Sequence, residues 1–131
     1  MLRPFSDITG YHAHIYYDPL RTKPHAELLR EAIAAQFEAV VGRWHDVPVG
    51  PHVTAMYQVA FEIPEFPRIV PWLMLNHGPL SILIHPHSGN GKMDHLLHGL
   101  WLGKPLRIYY DRLSGELPRI EGWVPYTAER V

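Results

Sequence analysis

The chain contains no cysteine. That excludes disulfides, thiolate metal ligands and a cysteine nucleophile. It also lacks an excess of charge of either sign: 12 Lys and Arg stand against 13 Asp and Glu, for a formal net charge of −1. Such a balance offers no basic footprint for nucleic acid and no polybasic patch for anionic lipid. No apolar run approaches the roughly 18 residues that span a bilayer, and the opening MLRPFSDITG carries no apolar core of a secretory signal. These absences lead us to expect a cytoplasmic protein with neither nucleic acid nor membrane as a partner. With 47% hydrophobic and 19% charged residues, the 131-residue chain is globular and long enough for one domain with its own core. What it holds in unusual number is histidine: ten residues, several of them inside apolar runs.

Periodicity predicts the elements. YHAHIYY (11–17) reads as a strand with Ala13, Ile15 and Tyr17 on one face and His12, His14 and Tyr16 on the other. A helix follows, with Pro24 in its first turn, an apolar stripe of Ala26, Leu29, Ile33, Phe37 and Val40, and Gly42 as its stop. RWHDV (43–47) reads as a short second strand. HVTAMYQVAFEI (52–63) alternates best of all, with Val53, Ala55, Tyr57, Val59 and Phe61 on one face and His52, Thr54, Met56 and Gln58 on the other. A second helix is expected over 64–78, kinked at Pro71 and stopped at Gly78. LSILIHP (80–86) is a fourth strand. The loop HSGNGKMD leads to a short helix, HLLHGLWLG (95–103), and PLRIYYDRL (105–113) reads as a fifth strand before an irregular tail, 114–131.

This order is α+β, a ferredoxin-like βαββαβ sandwich with an extra C-terminal strand. Its antiparallel sheet takes the order 4-1-3-2 and carries both helices on one face, with the core spanning about residues 10–113. The opposite face is expected to lie open to a ligand or a second copy, which together with the strand 105–113 suggests a homodimer. If strands one and three run parallel and strand four opposes strand one, His12, His52 and His85 converge at one end of the open face. His14 lies one pleat further in. Three imidazoles on one side of a metal leave positions free for substrate, as a catalytic centre requires. His25, His45 and His77 read as structural or surface residues, and His87 as a loop-surface residue.

The stretches YHAHIYYDP, GPHVTAMYQVAF, PWLMLNHGPLSILIHPHSG and DHLLHGLWLGKPLRI resemble, in order and spacing, the DOPA 4,5-dioxygenase family of ring-cleaving enzymes. The resemblance implies a non-haem Fe(II) cofactor, O2 and a catechol such as L-DOPA or a related dihydroxyphenyl acid, opened beside its hydroxyl pair (extradiol cleavage). His12, His14, His52, His85, His95 and His98 match the family's pattern. The expected metal ligands are His12, His52 and His85. His14 and His95 are candidate bases, with Asp94 beside His95 to orient it. Tyr16, Gln58, His98 and Arg107 are expected to contact the substrate, with Arg43 as another candidate for a carboxylate. Ser88 and Asn90 depart from the family's threonine and acid, a difference that bears on substrate preference. Two other readings fit the same histidines: a metal- or small-aromatic-binding protein without catalysis, and a His-ligated zinc hydrolase.

Overall fold

A computed structural model describes residues 2–129. Its order is β1 (Tyr11–Tyr16), α1 (Lys23–Gln36), β2 (Ala39–Val41), β3 (Met56–Phe61), α2 (Phe66–Asn76), β4 (Ser81–Pro86), α3 (Gly91–Leu96), β5 (Leu100–Leu102), β6 (Ile108–Tyr109) and β7 (Thr127–Ala128). The first five strands form one antiparallel sheet in the order β2-β3-β1-β4-β5, so the expected 4-1-3-2 arrangement is present with one more strand outside β4. The class is α+β, as the sequence indicated.

The alternation in β1 and β3 decides which face is core. Ala13, Ile15, Tyr57, Val59, Ile82 and Ile84 point to one side, where Ala26, Leu29 and Ile33 of α1 and Ile69, Val70 and Leu73 of α2 meet them. Burying a side chain of this size is worth roughly 1.5–3 kcal/mol. The core therefore fixes the register, because a one-residue slip would turn the histidines of β1 inward. α2 runs through Pro71, which sits on its exposed side.

Five expectations need correction. β1 and β3 run antiparallel, with His14 opposite Gln58 and His12 opposite Ala60. The second strand is Ala39–Val41, not 43–47: Phe37 and Val40 continue the helical stripe on paper, but α1 ends at Gln36. The β-branched pair Val40–Val41 suits a pleated edge better than a helix. The third helix begins earlier, at Gly91, because Asn90 caps it by accepting a hydrogen bond from the Met93 amide at 3.0 Å. The stretch read as its second half becomes β5, closed by Gly103. That glycine has φ +72°, and a Cβ there would stand 2.6 Å from the Leu80 carbonyl oxygen. Of the fifth strand expected over 105–113, only Ile108–Tyr109 is extended, and it pairs in parallel with Thr127–Ala128.

The fifth correction concerns the far face of the sheet. It is not open. Leu106, Ile108 and Leu113 from the C-terminal segment, with Leu96 of α3, close over Tyr16, Met56, Leu83 and Trp101 as a second, smaller core. The chain thus covers the surface that had suggested a dimer. The part of this face left uncovered is the end that carries the histidines.

Candidate functional site

β1 presents His12 and His14 on the face away from α1 and α2, and β4 brings His85 directly opposite His12 in the ladder. His14 and His85 point at each other, Nε2 to Nε2, at 3.0 Å. His12, His14 and His85 each offer a ring nitrogen, and these three atoms lie within 4.8 Å of one another. A cleft of about 280 Å3 opens over them, lined also by Pro51, His52, Gln58, His87, Gly91, Asp94, His95 and Leu113.

Proton accounting assigns the tautomers. A carbonyl only accepts, so His85 Nδ1, 3.0 Å from the Pro86 oxygen, carries the proton and Nε2 is bare. The same holds for His95, whose Nδ1 donates to the Gly91 carbonyl at 2.8 Å. His14 is buried, and among the described residues its Nδ1 has no hydrogen-bond partner. An unsatisfied buried nitrogen costs roughly 1–3 kcal/mol, a cost native proteins concentrate where function requires it.

The electrostatics keep the cluster neutral. Burial first, then the neighbouring rings of His87 and His95, push His12 down to about 4. Burial, then His95, bring His85 down to about 2 against the opposing pull of the Pro86 carbonyl. His14 is driven well below its ordinary value by burial and four surrounding histidines. His95 is lowered too, by burial, against the Gly91 carbonyl and Asp94. With His85 Nε2 bare, His14 Nε2 is the donor of the 3.0 Å contact, so a metal ion bound there would displace that one proton from otherwise neutral rings. Two nitrogens bound at right angles to one metal at roughly 2.1 Å would also stand about 3.0 Å apart. The donor set fits a metal ion of the kind imidazole prefers.

The other expected site residues distribute as follows. His52 belongs to the loop before β3 and reaches the cleft from the Tyr16 side. Its ring lies 4.2 Å from that of His14 and its Nδ1 2.7 Å from the Tyr16 hydroxyl. The convergence expected from parallel strands is therefore replaced by a loop, and the compact trio contains His14 instead of His52. Gln58 lines the cleft opposite His14 in the ladder. Asp94 borders it, but its carboxylate is taken by the Ser88 amide and hydroxyl and by His98 Nδ1 at 2.9 Å. Burial alone would raise its pKa, yet those hydrogen bonds and the His98 charge together hold it below the ordinary value. Among the described hydrogen bonds, His95 is oriented by the Gly91 carbonyl and not by Asp94. His98 faces a neighbouring hollow with Arg3 and Ser88. Arg107 is exposed; it donates to the Thr127 carbonyl and lies over the Tyr126 ring at 4.3 Å. Arg43 is exposed as well. Neither arginine lines the cleft. His87, read from sequence as a surface residue, stands 4.1 Å from the His12 ring. The ladder continues past β4, since the His87 amide donates to the Gly10 carbonyl at 2.9 Å. The two-residue spacing from His85 was the signal that places it on the same face.

Residues 11–112 match the profile of the Dopa 4,5-dioxygenase family, and so include every histidine of the cleft. The chain belongs to that family. A DOPA 4,5-dioxygenase of Amanita muscaria is 32% identical over 124 residues, covering 86% of this chain and 54% of that protein. A 21.2 kDa protein of Botryotinia fuckeliana is 35% identical over 116 residues, covering 79% of this chain and 63% of that one. The chain thus spans between about half and two thirds of these relatives' length. A provisionally assigned dioxygenase from Nostoc punctiforme has a crystal structure that superposes with a TM-score of 0.82 at 44% identity, over 84% of this chain and 95% of that one. Among the described residues of this family member, no helix is long and apolar enough to cross a membrane.

Proposed function

We propose that the chain is an extradiol dioxygenase. It takes a catechol bearing an acidic side chain, L-DOPA or a related dihydroxyphenyl acid, with O2 as co-substrate. Non-haem Fe(II) would be held by His12, His14 and His85. The observation that carries this reading is the compact trio of neutral imidazoles under a cleft, in a chain whose family includes a DOPA 4,5-dioxygenase. The cleft of about 280 Å3 lies just below the roughly 300–1,000 Å3 usual for ligand sites, which suits a single ring.

Bound there, Fe(II) would supply Lewis acidity toward the hydroxyl pair and a meeting point for substrate and O2. The protein's own contribution is to position and to take protons. His95 presents a bare Nε2 because Gly91 holds its other nitrogen protonated. That atom accepts the proton of a catechol hydroxyl. Asp94 acts at one remove: its bonds to Ser88 and His98 tie the loop after β4 to α3, and so fix where His95 stands. The second core keeps water away from the Tyr16 side of the cleft.

The experiment is to load metal-free protein anaerobically with Fe(II) or Zn(II), add L-DOPA in air-saturated buffer and follow a yellow ring-opened product. Product with iron and none with zinc supports the reading. Metal bound without product from any catechol would leave a binding protein, and hydrolysis with zinc would leave a hydrolase.

A further inference from the structure

We propose that Tyr16 fixes His52 as a hydrogen-bond donor in the cleft, so that His52 acts through its Nε2–H on a substrate oxygen and is not a metal ligand; this rests on the dioxygenase reading above. Tyr16 is 2% exposed, and the partner of its hydroxyl is His52 Nδ1 at 2.7 Å. A buried phenol must place its proton on an acceptor, and Nδ1 is the acceptor within reach. Nδ1 is therefore bare. With Nδ1 accepting from the Tyr16 hydroxyl, the ring's one proton sits on Nε2. To give Nε2 to a metal, the His52 ring would have to move its proton to Nδ1 and leave the buried Tyr16 hydroxyl without its acceptor.

The surroundings hold this arrangement in place. The Trp101 ring stacks on Tyr16 at 5.7 Å between centroids and an interplanar angle of 25°. The His52 amide donates to the Val49 carbonyl at 3.1 Å, and its backbone bridges to Ile108. His52 and His95 line the same cleft with ring centroids 6.3 Å apart. They have opposite tautomers. His95 offers a lone pair that takes a proton, and His52 offers an N–H. When a catechol hydroxyl loses its proton to His95, the oxygen left behind carries negative charge. A fixed neutral donor stabilises such charge without reorganisation. Tyr16 is a positioning residue here, acting on the substrate only through His52.

The test has two arms. In metal-free, 15N-histidine-labelled protein, long-range proton–nitrogen spectra should show His52 protonated on Nε2 alone. Its Nδ1 resonance should move toward that of an unbonded lone pair in Tyr16→Phe. A proton on Nδ1, or an Nδ1 signal indifferent to Tyr16→Phe, overturns the proposal. The second arm compares His52→Gln, whose amide N–H replaces Nε2–H, with His52→Leu. The glutamine should keep turnover within roughly tenfold of the parent while leucine loses about 100-fold, both binding Fe(II) as the parent does. Loss of Fe(II) in both variants, or equal turnover in the two, refutes the donor role. A parent protein that cleaves no catechol would end the dioxygenase reading but leave the nitrogen spectra to decide His52 independently.

Discussion

His12, His14, His52, His85 and His95 sit with neighbouring ring centroids 3.9–6.3 Å apart and would repel strongly if charged, and burial favours their neutral form. His12, His52 and His85 are held near 4, 3 and 2, against about 6.5 in an unfolded chain. Between these values and 6.5 the unfolded chain binds protons that the folded chain refuses. Stability therefore falls as pH drops through 6.5, and it goes on falling until the folded values are passed. Each such histidine adds a slope of up to about 1.4 kcal/mol per pH unit. Thermal melts of metal-free protein should decline from about pH 6.5 to about pH 4 and below, the window these values define. A flat profile there would contradict the account. At the same scale, His95→Ala should lower turnover about 100-fold or more while Fe(II) content stays near the parent's. Equal loss of both would make His95 a ligand.

α3 is the element on which the site depends most. Its Asn90 cap accepts from the Met93 amide and, through Nδ2, donates to the Glu116 carbonyl at 2.9 Å, so one side chain ties the helix to the C-terminal segment. Asn90→Ala should cost about 0.5–2 kcal/mol of stability. It should reduce turnover more than metal content, because Asp94 and His95 move and the trio on β1 and β4 does not. Urea unfolding and metal analysis on one preparation would separate the two effects. The elements also show what can be read from sequence. Strict alternation in β1 and β3 is a signal of period two, and it placed His12, His14 and Gln58 on the correct face. β2 was obscured because Phe37 and Val40 fall at helical spacing by coincidence. α3 was obscured because its start is written in glycines and an asparagine cap instead of an apolar stripe. The expected strand brings His52 to the cleft for a wrong reason, since a loop bridged to Ile108 carries it there instead. His87 was missed because strand pairing runs one residue beyond the proline.

At the scale of the whole molecule the sheet separates two jobs. One face is a conventional core against α1 and α2; the other is divided between a small core and the histidine cleft. The C-terminal segment makes that division, and periodicity could not foresee it because only two of its residues in each strand are extended. Ile108, 1% exposed, anchors it and pairs with the His52 backbone. Ile108→Ala should cost about 2–5 kcal/mol and weaken substrate use by loosening His52, with denaturant unfolding and substrate KM as the readouts. No change in either would show that the segment is a passive cover. The central claim, that this arrangement joins O2 to a catechol at a histidine-bound metal, is tested most directly by an oxygen electrode. Protein loaded with Fe(II) is given a limiting amount of L-DOPA, then simpler catechols, beside His85→Ala as the control. The account predicts one O2 consumed per catechol by the parent and none by the variant. Oxygen uptake unchanged in the variant, or none by the iron-loaded parent with any catechol, would contradict it.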